Sequence, residues 1–438
     1  MSRLLHHMQA FFARHEHVKN YWVAYSGGMD SQVLLSLCIS LRQQFSFQLR
    51  AIHINHHLSP HAEQWSLFGK DYCDRHHIPF IEKHIYIEQR VSESLEEEAR
   101  VKRYAQLNAC LGEGDMLLTA HHQDDQAETV LIQMLRGAGP KGLSAMPVSK
   151  PFGAGTHARP LLTIPRAELL AYARTIQLSW VEDESNQDTR LTRNYVRHQL
   201  MPLLQARVPA AASTIARSAS YCAESQVLLE EYALTLLAKI RGSQPRLLSV
   251  AGLLTLDEIK QRFLLRAWMA ELGIPLPDAK KMDAICRSVL LAANDRMPCI
   301  KWGRNIELRR FRDDLYLLRS SAVTARNDTY VWNPRQTLDL PGIGLLAARR
   351  AKGQGLMLGD ATISVRFRKE GEIVSIAGRG RLSLKNLFQE WQIPPWERYN
   401  VPLLFVGDRL VGVVGYFWDR LYTAKESEEG FVPEVLPR

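Results

Sequence analysis

Tyr21-Trp-Val-Ala-Tyr25 runs into Ser26-Gly27-Gly28-Met29-Asp30-Ser31 and then into Gln32-Val-Leu-Leu35. Aromatic and small apolar residues suit a buried strand, and the apolar run after Ser31 suits a helix. Gly27 and Gly28 let the backbone turn sharply and bring its N–H groups close to an anion. Ser26 and Ser31 add hydroxyl donors. The positive end of the following helix faces the same point, so Ser26 to Ser31 reads as a phosphate cradle. Two Gly-rich motifs are excluded. The Walker A pattern needs a Lys that does not follow here, and Gly-x-Gly-x-x-Gly is absent.

What remains, Ser-Gly-Gly-x-Asp-Ser, resembles the PP-loop of the ATP pyrophosphatase superfamily, whose members cleave ATP between the α- and β-phosphates. Asp30 fits such chemistry, because a carboxylate beside a triphosphate normally holds Mg²⁺. Outward from the loop, strand and helix patterns alternate. A helix is expected over 31–42, a strand over 49–55, a helix over 61–77 and a strand over 79–85. Ser94-Leu-Glu-Glu97 reads as a capping box opening a helix that Gly112 ends. A further strand is expected over 115–120. This alternation predicts an α/β fold with a doubly wound, mostly parallel, Rossmann-like sheet. Ligands in such sheets sit at the carboxyl ends of the strands. Ser26 to Ser31, His53-Ile-Asn-His-His57 and His121-His-Gln-Asp-Asp125 all fall there.

His121-His122-Gln123-Asp124-Asp125-Gln126-Ala127-Glu128-Thr129 enters a helix. Asp125 and Glu128, three apart, share one face of it. Asp124 is a natural N-cap. Val130, Leu131, Met134 and Leu135 predict a packed helix. Two carboxylates on one face can hold Mg²⁺, orient a cation or accept a proton. The following stretch, Arg136-Gly-Ala-Gly-Pro-Lys141-Gly-Leu-Ser-Ala-Met146, reads as a flexible basic loop.

Together these motifs resemble the bacterial tRNA(Ile)-lysidine synthases, in which Ser-Gly-Gly-x-Asp-Ser, His-His-x-Asp-Asp-Gln-x-Glu-Thr and Arg-Gly-x-Gly-x-x-Gly-Leu occur in this order. Arg159-Pro-Leu-Leu162, Asp183-Glu-Ser-Asn186-Gln-Asp188 and Arg193-Asn194-Tyr-Val-Arg197 extend the resemblance. It implies an ATP-dependent carbon–nitrogen ligase of tRNA processing. ATP adenylates O2 of the wobble cytidine of a tRNA(Ile) with a CAU anticodon, and the side-chain amine of free L-lysine then displaces AMP at C2. On this resemblance Ser26, Gly27, Gly28, Met29, Asp30 and Ser31 bind ATP, Asp30 holds Mg²⁺, and His53 lies near the adenosine. Asp125, Glu128 and His121 bind and position lysine. At neutral pH only about one lysine amine in two thousand is uncharged, so a proton acceptor is required. Arg100, Arg103 and Arg193 are candidates for ATP phosphates or the lysine carboxylate, with a solvent-facing helix charge equally in view for Arg100. No prosthetic group is expected.

The rest of the 438-residue chain fits this reading. Lys and Arg exceed Asp and Glu by 55 to 46, giving a net charge of +9 that suits a polyanionic partner. Between 186 and 217 stand Arg190, Arg193, Arg197, Arg207 and Arg217 against the single acid Asp188, a candidate tRNA face with Arg136 and Lys141. The six cysteines form no CxxC pair, so neither a zinc knuckle nor an Fe–S cradle is expected. No apolar run approaches the length of a membrane span and the N-terminus lacks a signal-peptide pattern, so no membrane partner and a cytoplasmic location are expected.

Four segments are expected. They are a catalytic domain over 1–216, a helical connector over 217–245, and two smaller α+β domains that bind tRNA over 246–320 and 336–435, with a linker between the last two. In the third segment Thr255-Leu-Asp-Glu258 reads as a helix cap. Trp302, Phe311 and Tyr316, set among basic residues, suit either nucleic-acid contact or a small-sheet core. In the last segment Arg366, Arg368, Lys369, Arg379, Arg381 and Lys385 form a basic stretch assigned to tRNA, chiefly through Arg379, Arg381 and Lys385. Lysidine synthases often show Arg-Asp where Arg398-Tyr399 stands here, which leaves the role of Arg398 open. A homodimer is a candidate assembly. The alternatives in view are a PP-loop tRNA thiolase, which would need cysteines at the site, and an inactive tRNA-binding protein.

Overall fold

A computed structural model describes residues 3–57, 59–86, 95–293, 296–319, 328–357, 362–369, 371–376 and 379–436. The chain forms two compact units, Met1–Tyr232 and Ala233–Arg438. The division falls within a helix over Ala211–Lys239, where the sequence reading places a connector at 217–245.

The first unit is built on a six-stranded sheet. Its strands are β1 (Asn20–Ala24), β2 (Gln48–Asn55), β3 (Phe80–His84), β4 (Met116–Leu118), β5 (Ser149–Phe152) and β6 (Gly155–Ala158). They lie in the order β3-β2-β1-β4-β6-β5. All neighbours are parallel except β5 and β6, which form an antiparallel hairpin. The helices are α1 (Arg3–Ala13), α2 (Met29–Leu41), α3 (Ala62–Arg75), α4 (Leu95–Ala109), α5 (Gln123–Leu135), α6 (Pro140–Leu143), α7 (Arg166–Thr175), α8 (Thr192–Tyr195), α9 (Met201–Arg207) and α10 (Ala211–Lys239). Strand alternation sorts the core onto two faces. Tyr21 and Val23 of β1 pack with Leu4, Phe12, Leu34 and Leu169 from α1, α2 and α7. Trp22 and Ala24 turn to the other face, where Ile52, Ile54, Leu107 and Leu117 meet α4. The sheet is therefore doubly wound. Its strand order reverses between β1 and β4, and the crevice at such a reversal receives ligands. The Ser26–Ser31 loop leaves β1 there, and the His121–Glu128 motif follows β4.

Several local expectations change. His122, rather than Asp124, caps α5: the Asp125 N–H reaches the His122 ring and the Asp125 carboxylate accepts the His122 N–H. Asp124 accepts the Arg166 N–H instead (2.8 Å), at the start of α7. Val130 and Leu131 are buried, but Met134 and Leu135 are exposed, so α5 packs only through its first half. The 136–146 stretch is not all loop, since α6 forms within it. The β5–β6 hairpin escaped the sequence reading because Pro151 and two glycines mask its strand character; Pro is tolerated because β5 is the sheet edge. Ser94 of the expected capping box, Gly378 of the basic stretch and residues 321–327 of the linker lie outside the described residues.

In the second unit, helix Glu258–Glu271 is capped by Asp257, whose carboxylate accepts the Lys260 N–H (2.9 Å), two residues past the expected Thr255. Trp268 and Leu308 centre one core, against a four-stranded sheet over 248–319. Trp302 and Tyr316 are buried, which settles them as core aromatics. The Trp302 indole donates to Pro275 O, and Tyr316 packs edge-on against Trp396. Residues 330–436 form further antiparallel sheets around Val365, Phe367, Leu404 and Val411. The expected hairpin about Gly407-Asp408 joins strands Leu403–Val406 and Arg409–Val413. Arg398 is buried and donates to Ile393 O (2.8 Å), a structural role.

Candidate active site

The phosphate loop is held by its own polar groups. Gly27 sits at φ +83°, the left-handed region that glycine adopts freely, and its carbonyl accepts the Val181 N–H (2.9 Å). Ser26 and Ser31 hydroxyls lie 3.0 Å apart, and Ser31 Oγ donates to Gly28 O (3.0 Å). Gly28 is the N-cap of α2 and has no side chain to cap it. The N–H groups of the first turn, from Met29 to Ser31, are thus left for an outside acceptor, as an anion site requires. Asp30 stands in that turn. Its Oδ1 is buried without a hydrogen-bond partner, and its Oδ2 lies 3.6 Å from His122 Nε2. A buried carboxylate oxygen without a donor is what a hard cation such as Mg²⁺ takes.

His122 is the residue that sequence reasoning passed over in favour of His121. Its side chain is 1% exposed and lies between two carboxylates, Asp30 and Asp125 (Nε2 to Oδ2, 3.4 Å). Burial opposes its charge, but the hydrogen bond to Asp30 and the charges of Asp125, Asp30 and Asp124 outweigh that and raise its pKa. The available signal was the spacing of His122 to Asp125, which is that of a capping box.

Asp125 and Glu128 do share one face, and both are taken up by arginines. Arg193 reaches Asp125 Oδ1 and Glu128 Oε2, each at 3.1 Å. Arg197 reaches Glu128 Oε1 (2.6 Å) and Oε2 (3.0 Å) and Asp125 Oδ1 (2.8 Å). Arg193 lies on α8 and Arg197 on the π-helical turn Val196–Leu200 that follows it. Burial alone would raise the Asp125 pKa, but His122, Arg193, His121 and Arg197 pull it down to about 2. Arg197, expected on the tRNA face, is therefore committed to the carboxylates. The carboxylates, expected to be open to lysine, already hold two guanidiniums.

His121 is half-buried beside them. Its Nδ1 lies 2.8 Å from Thr119 Oγ1, which lies 2.8 Å from His157 Nε2. His157 Nδ1 is met by Arg159 Nη2 at 3.3 Å. Thr119, His157 and Arg159 are buried, and none was foreseen as part of the site.

The other expected residues are placed as follows. His53 is buried; its Nδ1–H donates to Tyr25 O (3.0 Å) and its ring stacks on Phe80, so it braces β1 and β2. The neighbouring His56 has a buried Nδ1 without a partner, and burial and Arg103 lower its pKa to about 4. Arg103 lies 5.4 Å from the Tyr104 ring centre, and Arg100 5.9 Å from it. Arg100 is exposed and Arg103 half-buried. Arg136 and Arg207 are exposed. Lys141 pairs with Glu230 (3.5 Å) beside a cleft of about 520 Å³, which Gln123, Gln126, Met146 and Arg217 also line. In the second unit Arg381 and Lys385 are exposed, and Arg379 is paired in a fork with Glu390 (2.9 and 2.8 Å).

Family models match three stretches: a PP-loop domain over residues 2–204, the TilS substrate binding domain over 248–316 and the TilS substrate C-terminal domain over 363–434. The tRNA(Ile)-lysidine synthase of Coxiella burnetii is 43% identical over 424 residues, covering 95% of this chain and 93% of that protein. The one from Methylococcus capsulatus is 41% identical, covering 91% and 92%. Among solved structures, a U34-tRNA thiolase from Methanococcus maripaludis is 20% identical over 50% of this chain and 79% of its own (TM-score 0.40). Identity to relatives at this level, over nearly the full length of both chains, leaves one assignment: the chain belongs to the tRNA(Ile)-lysidine synthase family.

Proposed function

We propose that this chain joins free L-lysine to C2 of the wobble cytidine of tRNA(Ile) at the crevice between Asp30 and Glu128. The observation that carries the reading is the juxtaposition of an uncapped phosphate loop, an unpartnered Asp30 oxygen and the Asp125–Glu128 carboxylates, joined through His122. ATP phosphates lie on the N–H groups of the first turn of α2 and on Ser26 and Ser31. Asp30 would hold Mg²⁺ through its unpartnered oxygen, and the ion would supply charge neutralisation to the departing pyrophosphate. Cytidine O2 attacks the α-phosphorus and pyrophosphate leaves; the lysine ammonium then gives a proton to the carboxylate that holds it, the freed amine attacks C2, and AMP leaves with O2.

Lysine enters as a cation, and Asp125 and Glu128 are a carboxylate pair that already holds cations. Its ammonium exchanges there with one of the two guanidiniums, which swings toward the phosphates. Cation exchange costs less than breaking a buried pair outright, because no carboxylate is left alone. A thiolase reading is disfavoured by the thiols. Cys38 and Cys73 are buried in the sheet core, where burial pushes both pKa values up, that of Cys73 to about 12, so neither is a ready sulfur carrier.

Incubation with ATP, labelled lysine and candidate tRNAs, followed by nucleoside analysis, tests the function. Lysidine in tRNA(Ile) is expected, and a thiolated nucleoside or unmodified tRNA refutes it. Asp125→Asn and Glu128→Gln test the lysine assignment. Each should raise the lysine requirement of the second step more than it slows pyrophosphate release. If adenylation fails first, the carboxylates serve to hold Arg193 and Arg197, and lysine binds elsewhere.

A further inference from the structure

The chain of groups behind His121 has a direction. Arg159 can only donate, so the His157 Nδ1 that meets its Nη2 must accept. A neutral imidazole carries one proton, so His157 bears it on Nε2 and donates to Thr119 Oγ1. The Thr119 hydroxyl keeps one proton to give, and His121 Nδ1 is the other side-chain group it meets among the described residues; accepting a second time would leave the buried hydroxyl proton unpaired, so His121 Nδ1 accepts. The proton of His121 then resides on Nε2, the ring nitrogen without a protein partner among the described residues. Thr119, His157 and Arg159 are buried and His121 is half-buried, so water competes little for the donors behind the ring. Both rings stay neutral: burial, with the positive charge of Arg159 and others, lowers each pKa to about 3.

We propose that His121 acts in this reaction as a fixed Nε2–H donor to an anionic phosphoryl oxygen of the adenylated substrate, its tautomer set by Arg159 through His157 and Thr119. The class of acceptor follows from the charges around the ring. Arg159 stands behind the ring through His157 and Thr119, and the neighbouring Asp125 is already held by Arg193 and Arg197, so an anionic oxygen is the fitting acceptor for the free Nε2–H. A ring that presents N–H and holds its other nitrogen in a hydrogen bond takes no proton from the lysine ammonium. His121 is thus removed from the acid–base role that its place in the motif suggests. Thr119, His157 and Arg159 are positioning residues, acting through His121. The inference rests on the proposed function for the identity of the acceptor, but not for the tautomer.

Two measurements on the full-length protein test it. The first is long-range proton–nitrogen correlation of the histidine rings, with His121 and His157 assigned from His121→Gln and His157→Gln spectra. Both rings should read as the Nε2–H form in the wild type. Thr119→Val should leave His121 a mixture of forms, and Thr119→Ser should restore it. An Nδ1–H ring at position 121 in the wild type overturns the proposal. The second is pyrophosphate release with ATP and tRNA(Ile). His121→Ala should slow it about a hundredfold, the ordinary cost of one lost donor to a developing oxyanion. The amide of His121→Gln donates but cannot act as a base, so it should recover all but about tenfold of that rate. Glutamine as inactive as alanine overturns the donor role. A wild-type protein that adenylates no tRNA counts against the proposed function, and the ring spectrum still decides the tautomer.

Discussion

Single residues carry the polar chemistry of the site. Asp30 has a buried oxygen with no donor beside the turn that meets phosphate. Asp30→Ala should abolish pyrophosphate release while tRNA binding persists, because cation-held charge is lost where the leaving group forms; release near the wild-type rate would refute the assignment. Asp125 makes a second prediction. Its folded pKa, about 2, lies below the ordinary carboxylate value near 4. A depressed carboxylate contributes stability that is fully present above its unfolded pKa and lost as pH falls through the folded one. The window is therefore roughly pH 4 to 2, and the size is about 2 to 3 kcal/mol at 1.36 kcal/mol per unit. Denaturant unfolding from pH 5 to 2.5 should show the wild type losing this stability and Asp125→Asn losing markedly less. Parallel curves for the two proteins would sink the claim.

At the scale of elements, the site depends on where two segments far apart in sequence meet. α5 brings Asp125 and Glu128, and the α8–π-turn segment brings Arg193 and Arg197. The π-turn widens the helix at Arg197, and such turns frequently mark functional sites. Arg197→Ala leaves a 3%-exposed Glu128 short of a partner. Arg193 still holds Glu128, so the cost stays below the roughly 3 kcal/mol of an uncompensated buried charge, and a urea titration should show it. Arg190→Ala, which breaks a solvent-exposed pair with Asp188, should leave stability unchanged by the same urea titration. Equal effects would mean that the Arg197 network adds nothing. The sequence made the elements legible where spacing is local: the loop after β1, the shared face of Asp125 and Glu128, and the strand–helix alternation all follow from patterns a few residues long. It did not reveal that Arg193 and Arg197 face α5, because a charged residue on a short helix reads the same whether it meets solvent, RNA or a carboxylate. Nor did it reveal Thr119, His157 and Arg159, because nothing within β6 announces that His157 stands beside Thr119. Parallel pairing of β4 and β6 brings them together across 38 residues.

Across the whole chain, the excess of basic residues is distributed by what each one touches, and this limits which of them can meet RNA. Arg310 is buried and donates to the carbonyls of Leu290 and Ala292, while Lys301 and Arg309 hold Glu307, whose pKa they lower to about 2. In the C-terminal stretch Arg366 lies 3.8 Å from the Phe405 ring centre and donates to Gly407 O, and Arg368 packs against Phe388 and Tyr399. These groups serve the fold, and replacing them should lower stability. Arg381 and Lys385 are exposed, and Arg379 shares its charge with an exposed Glu390. If the C-terminal sheets grip tRNA phosphates, these three and the exposed Lys369 are the contacts that stretch offers. Each phosphate contact contributes roughly one unit to the slope of log affinity against log salt. A variant with Arg379, Arg381 and Lys385 changed to alanine should then flatten the slope by about two to three units while leaving ATP and lysine requirements as they are. Arg366→Ala should lower the unfolding midpoint and leave the slope alone. An unchanged slope in the triple variant would move tRNA binding to residues 186–217 and the middle domain instead, with Arg207 and Arg217 exposed in the first of these.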